Sequence, residues 1–226
     1  MTERSVALVT GSARGIGRAI ALRLANDGFN LALNDIASQK ENLEILCGEI
    51  EGLGRKAVIY IADVSKEDEV KAMVDETVEV LGRLDVMVAN AGMCLRFSGL
   101  MDNHVFAVNT RGVFLCYKYA AMQMVKQGWD GRIIGANSVA GMRAQSRVCP
   151  YSASKFAVRG LTQSAAVELG PHQITVNAYA PAPANLVLTP EFPLKVRQSE
   201  NTVALKKTGQ PGDLASLVSY LASPES

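Results

Sequence analysis

Tyr151 and Lys155 stand four residues apart in Tyr-Ser-Ala-Ser-Lys, so on a helix the two side chains share one face. A free phenol titrates near ~10. A neighbouring ammonium favours the phenolate, so the spacing predicts a lowered Tyr151 pKa and a side chain able to give and take a proton. Ser138 lies upstream, where the strand before this helix ends, and its hydroxyl can hydrogen-bond a substrate oxygen. Alone, each signal is weak. A Tyr–Lys pair at this offset is common by composition, and a lone Ser usually satisfies nearby backbone. Their shared position at one strand end makes them a candidate set for acid–base chemistry.

A second group has the residue types for holding a dinucleotide. Thr10-Gly11-Ser12-Ala13-Arg14-Gly15-Ile16-Gly17 follows the first apolar run and opens the first helical pattern. Glycines there let the turn tighten and let backbone N–H groups approach a pyrophosphate at a helix N-terminus. This makes Gly11, Arg14, Gly15, Ile16 and Gly17 candidate cofactor contacts. Asp35 ends the second apolar run, near the ~20-residue offset of the acid that holds adenine ribose hydroxyls. A carboxylate there repels a 2′-phosphate, which favours NAD over NADP; Arg14 argues mildly the other way. Asp63 and Val64 could meet the adenine amine and ring, and Asn90 could hold the loop beside the cofactor.

These residues need a frame that brings strand ends together. Val6-Ala7-Leu8-Val9 is a near-continuous apolar run, the pattern of a parallel strand buried on both faces. Further strands are predicted at 31–33, 58–61, 86–89, 132–136 and 174–178. Helices are predicted at about 15–27, 42–51, 65–81, 102–126, 151–169 and 213–221, the third opening with a capping box at Ser65-Lys66-Glu67-Asp68. Phe156, Leu161 and Ala165 are candidate buried positions of the helix at 151–169. Repeated alternation of strand and helix predicts an α/β, Rossmann-type doubly wound parallel sheet in a single domain over 1–226. Right-handed crossovers then put all strand carboxyl ends on one rim, where ligands bind. The Pro-rich stretch 180–200 is the predicted mobile loop.

Composition narrows the function further. The 226 residues carry 23 Lys plus Arg against 22 Asp plus Glu, a formal charge of +1. So balanced a charge gives no electrostatic case for nucleic acid or an anionic membrane. No apolar run approaches the ~20 residues of a membrane span, and Met1 to Thr10 has no signal-peptide layout. Cys47, Cys94, Cys116 and Cys149 are scattered without a CxxC, which suits a reducing cytoplasm. His104 and His172 lie far apart, and no metal site is expected.

The joint set resembles the short-chain dehydrogenase/reductase family. Its TGxxxGxG stands at Thr10 to Gly17, its NNAG at Ala89-Asn90-Ala91-Gly92, and its YxxxK at Tyr151 and Lys155. The resemblance covers residues 1 to about 181 and the 210–226 region. It implies hydride transfer between a nicotinamide and a carbonyl or alcohol carbon. Tyr151 is then the general acid/base and Ser138 orients the carbonyl. Lys155 binds the nicotinamide ribose and tunes Tyr151, and Asn109 holds a water in a proton relay. Tyr151, Lys155 and Pro181 join the cofactor-binding set, and the long helices imply a homo-oligomer, a tetramer or dimer.

The segments from Tyr151 to Gln163 and from Val176 to Pro181 look most like acetoin/diacetyl (2,3-butanediol) reductases. The 3-oxoacyl carrier-protein reductases and sugar-alcohol or steroid dehydrogenases share most of that pattern. Three departures bear on activity. Pro181 is followed by Ala182 rather than Gly, the 92–109 connection is short, and the seventh C-terminal strand of a typical member is missing. Two functions therefore stand side by side: an active NAD-linked oxidoreductase of small carbonyls and alcohols, and a catalytically impaired cofactor-binding scaffold.

Overall fold

A computed structural model describes residues 5–94, 103–143, 146, 148–182 and 209–226. Six strands form one parallel sheet: β1 (Val6–Thr10), β2 (Asn30–Asp35), β3 (Ala57–Ile61), β4 (Val86–Ala89), β5 (Gly131–Ala136) and β6 (Ile174–Tyr179). Their order across the sheet is β3-β2-β1-β4-β5-β6, every neighbouring pair parallel. The order reverses beside β1, so the crevice between the β1 and β4 ends is the topological switch point where such sheets bind ligands.

The continuous apolar runs are explained by burial on both faces. Within β1, Ala7 and Val9 enter one core, while Leu8 enters the other. The first core also takes Ile20 and Leu24 of α1 (Gly15–Asn26), Leu46 and Ile50 of α2 (Lys40–Gly52), and, from the last helix, Val218. The second takes Met73 and Val74 of α3 (Glu67–Leu81), Leu115 and Tyr117 of α5 (Val113–Gln127), and Val158 of α6 (Cys149–Leu169). Each fully buried aliphatic side chain contributes about 1.5–3 kcal/mol of transfer free energy, so both faces anchor the strands. The last helix, α7 (Pro211–Leu221), packs on α1, and Ser219 donates to Asp27 at 2.6 Å.

Several elements depart from the pattern read in the sequence. The single helix expected over 102–126 is interrupted. A short α4 (Asn103–Phe106) runs into a π-helical turn, Ala107–Gly112, before α5 begins. That turn carries Asn109, which is fully buried. A π-turn shifts the backbone register while leaving the apolar spacing nearly unchanged, so hydropathy does not reveal it. The capping box at Ser65 does not form. Lys66 is the N-cap of α3 and contributes no side-chain cap; Glu69 instead accepts from the Asp63 N–H at 2.6 Å. A true capping box opens α7, between Gln210 and Asp213. Phe156, a candidate core residue, is 44% exposed, whereas Leu161 and Ala165 pack against the second core.

Among the described residues the sheet ends at β6, and no further strand lies beside it. The stretch 183–208, which holds most of the predicted mobile loop, lies outside the described residues, as does 95–102 of the short connection.

Candidate active site

The glycine loop sits where β1 hands over to α1. Gly11 adopts φ +61°, a left-handed conformation that side chains rarely take. Gly17 is required for space instead: a Cβ there would lie 2.1 Å from the Gly11 carbonyl oxygen. The loop is laced to the neighbouring strands. Ser12 N–H donates to Asn34 O at 2.9 Å, and the Asn34 amide donates to Tyr60 O at 3.1 Å and Ala62 O at 3.0 Å. Thr10 Oγ1 accepts from the N–H groups of Asn90 and Ala91, both at 3.0 Å. The Asn90 amide donates to Thr10 O at 2.8 Å and Gly11 O at 3.0 Å.

These residues fit a dinucleotide. Arg14 is the N-cap of α1 with extended backbone, and no side chain caps the first turn, so the helix N–H groups stay available to an anion. Arg14 itself is exposed, and Ile16 packs against the first core. Asp35 ends β2 beside the loop; its Oδ2 accepts from Ala13 N–H at 3.1 Å and its Oδ1 from Ile36 N–H at 2.9 Å. Asp63 is engaged locally, accepting from Ser65 N–H at 2.9 Å. Partial burial pushes its pKa up, but the Ser65 bonds and the Lys66 charge together outweigh that and lower it. Val64 is buried at 5% exposure, against Gly112 of the π-turn.

The acid–base candidates converge one strand further along the same rim. Ser138 follows β5, and its hydroxyl accepts from Ala140 N–H at 3.1 Å. Tyr151 lies in the first turns of α6, near enough to Ser138 for the serine side chain to favour its phenolate. Lys155 is one turn on, almost fully buried, with Nζ donating to Ala136 O at 2.7 Å and 5.6 Å from the Tyr151 ring centroid. Asn109 clamps the loop that follows β4 by two bonds of 2.8 Å, accepting from Met93 N–H and donating to Met93 O. It also donates to Ser154 Oγ at 3.2 Å, and Ser154 donates to the Tyr151 carbonyl at 2.7 Å. Gly92 lies between Asn109 and Lys155: a Cβ there would be 3.3 Å from Asn109 Oδ1 and 3.6 Å from Lys155 Nζ. Pro181, just past β6, accepts from Val139 N–H at 3.1 Å, and Ala182 is exposed.

The electrostatics correct one expectation. The Tyr151 pKa is raised, not lowered: burial disfavours the phenolate, and the Ser138 side chain only partly opposes it. Burial also disfavours the Lys155 ammonium and pushes its pKa down from 10.5 to about 8. Lys155 is thus charged over a narrower pH range than the spacing suggested, and it spends a hydrogen on Ala136.

Two further residues belong to this site. Half-buried Cys94, beyond the β4 clamp, acts electrostatically on both Tyr151 and Lys155. Tyr179, at the end of β6 and 1% exposed, donates to Asn90 Oδ1 at 2.6 Å. Neither belongs to a local motif; the Tyr179 bond spans 89 residues of sequence.

A wound parallel sheet with a glycine loop at its switch point and a Ser–Tyr–Lys cluster on the adjacent rim defines a nucleotide-dependent oxidoreductase architecture. Residues 5–193 match the short chain dehydrogenase family. The chain belongs to that family. A short-chain dehydrogenase/reductase of Armillaria gallica is 49% identical over all of this chain and 91% of its own length. A Burkholderia cenocepacia short chain dehydrogenase, solved in complex with NADP, superposes with a TM-score of 0.91 at 34% identity, covering 100% of this chain and 93% of its own. The acetoin dehydrogenase YohF of Salmonella typhimurium gives 0.88 at 33% identity, covering 98% and 89%. Among the described residues no helix is long and apolar enough to cross a membrane, and no cluster of His, Cys, Asp or Glu could hold a metal.

Proposed function

We propose that this enzyme transfers a hydride between NAD and a small ketone or secondary alcohol of the acetoin, diacetyl or 2,3-butanediol class. The observation that carries the chemistry is the convergence of Tyr151 with the Ser138 side chain, with Lys155 one helical turn behind on the same rim. When bound, the nicotinamide supplies or accepts the hydride. In the reducing direction Ser138 donates to the carbonyl oxygen and orients it. Tyr151 gives its phenolic proton to that oxygen as it gains charge, so an alcohol forms. The raised Tyr151 pKa keeps the phenol protonated in the free enzyme, so the proton to be given is in place, while burial makes it a weaker acid. Lys155 holds the nicotinamide ribose, and Asn109 keeps the Met93 loop after β4 in place beside it and takes part in proton relay.

Gly11, Arg14, Gly15, Ile16 and Gly17 cradle the pyrophosphate, Asp35 takes the adenine ribose hydroxyls, Asp63 and Val64 flank the adenine, and Asn90 and Pro181 border the cofactor. A carboxylate at 35 supports NAD; the NADP bound to the Burkholderia relative marks the competing choice. The likeness to an acetoin dehydrogenase supports the substrate class. The proposal extends to one catalytic domain over 1–226, working in the cytoplasm, where Cys47, Cys116 and Cys149 would stay unpaired thiols. It also includes a homotetramer or dimer, supported by exposed Phe106, Phe114, Met122 and Phe156 on α4, α5 and α6.

Purified protein assayed by nicotinamide absorbance with NADH and NADPH, against acetoin, diacetyl and a 3-oxoacyl thioester, tests the reading. Oxidation of NADH with acetoin or diacetyl is expected. Cofactor binding without turnover across the panel would establish the scaffold alternative, and turnover of the thioester alone would move the substrate class.

A further inference from the structure

We infer that Tyr179 is a positioning residue for the cofactor loop, its hydroxyl fixing the orientation of the Asn90 carboxamide that holds the Thr10 and Gly11 carbonyls. The two ends of a carboxamide are nearly equal in shape but opposite in hydrogen bonding. Asn90 must face its nitrogen to Thr10 O and Gly11 O, at 2.8 and 3.0 Å. The Tyr179 hydroxyl, donating at 2.6 Å to the other end, holds the carboxamide in that pose. A rotated amide would place its oxygen against two carbonyl oxygens. It would also aim its nitrogen at Tyr179.

The amide is wedged where loop and helix meet. A Cβ on Gly17 would lie 2.5 Å from Asn90 Nδ2, and one on Gly11 3.1 Å from it. Small reorientations of Asn90 are therefore felt by the loop backbone. Packing does not account for the hydroxyl, since a phenylalanine would fill the same space. The Tyr179 backbone serves the other half of the site: its carbonyl accepts from Asn137 N–H at 2.8 Å, next to Ser138. One residue thus ties the acid–base loop, through its backbone, to the glycine loop, through its side chain. A dinucleotide spans those two points, and their fixed separation is a preorganisation for binding it.

This inference rests on the cofactor reading, and the experiment separates the two. Backbone hydrogen exchange on cofactor-free Tyr179→Phe is expected to accelerate about five- to tenfold across 10–17, the size of one lost buried hydrogen bond, with β3 and α3 unchanged. Asn90→Ala opens the same stretch, and the double variant opens it no further. Calorimetric titration of Tyr179→Phe with NADH is expected to show a dissociation constant about five- to tenfold higher. Unchanged exchange over 10–17, uniformly faster exchange throughout, or additive effects in the double variant would overturn the role of Tyr179. Wild-type protein that binds neither NADH nor NADPH would sink the cofactor reading instead, and the exchange comparison would still decide for or against Tyr179.

Discussion

Lys155→Met tests the electrostatics of the site without any ligand. Burial lowers the Lys155 pKa from 10.5 to about 8 in the folded protein. Between those values the unfolded chain carries one proton more than the folded one, so stability rises with pH across that window. Below it both states are protonated, and the cost of a buried ammonium is borne in full. Integrating from about pH 7 to about pH 9.5 gives the wild type a gain of about 2 kcal/mol from this group. Because Lys155 is 3% exposed, solvent screening does not reduce the figure much. Methionine keeps the length and loses the charge. It also leaves Ala136 O without its 2.7 Å partner, a pH-independent offset of about 1 kcal/mol. The raised thiols of Cys47 and Cys116 and the raised Tyr151 phenol work in the opposite direction above about pH 9, but both proteins share them. Urea unfolding of both cofactor-free proteins at a series of pH values isolates the Lys155 contribution as a difference. The stability difference should move by about 2 kcal/mol in favour of the wild type as pH rises. Parallel curves would mean that Lys155 keeps an ordinary ammonium and that burial does not govern its charge.

Other expectations follow from the same geometry. Tyr151→Phe removes the proton donor and keeps the ring; turnover should fall at least about a thousandfold while the calorimetric NADH affinity stays within about twofold. Gly17→Ala drives a Cβ to 2.1 Å from Gly11 O and 2.5 Å from Asn90 Nδ2. It should cost about 1–3 kcal/mol in chemical denaturation and weaken cofactor binding at least about tenfold by titration. Asp35→Asn keeps an acceptor for Ala13 N–H and removes the charge. The ratio of kcat/KM for NADPH over NADH should rise about tenfold, and an unchanged ratio would remove Asp35 from the specificity argument.

Much of this frame is legible because burial on both faces writes itself into sequence. Val6-Ala7-Leu8-Val9 reads as a buried strand since Ala7 and Val9 enter one core and Leu8 the other. Gly11 and Gly17 are legible for a similar reason, one needing a left-handed backbone and the other bare space. What escapes is geometry that leaves hydropathy unchanged. The π-turn that carries Asn109 alters hydrogen-bond register, and Val105, Val113 and Cys116 keep a helical spacing through it. The Ser65 capping box fails because α3 starts one residue later, with Lys66 rather than Ser65 at its N-cap, a shift of register that the motif does not reveal. Phe156 sits on α6 with an apolar side chain and an exposed face, a position that periodicity cannot tell from core.

The Tyr151–Lys155 pair shows why a motif can locate chemistry and still misstate its sign. The four-residue spacing predicts proximity, and the structure delivers it, with Nζ 5.6 Å from the ring centroid. Proximity implies a lowered phenol pKa only if the amine is charged and unscreened. Here the burial that brings Lys155 under Tyr151 also discourages charge on both, lowering the amine and raising the phenol. The free site is therefore close to neutral in the mildly alkaline range, where a Lys155 with a pKa of about 8 gives up its proton. Nothing in the spacing carries that information, because desolvation is set by strands and helices far away in sequence. The hydrogen bonds carry the compensating order: Lys155 donates to Ala136 O, and Asn109 reaches the Tyr151 backbone through Ser154. A protonated phenol at this rim can give its proton to an oxygen that gains charge, and its acidity is set by burial rather than by the spacing of the pair.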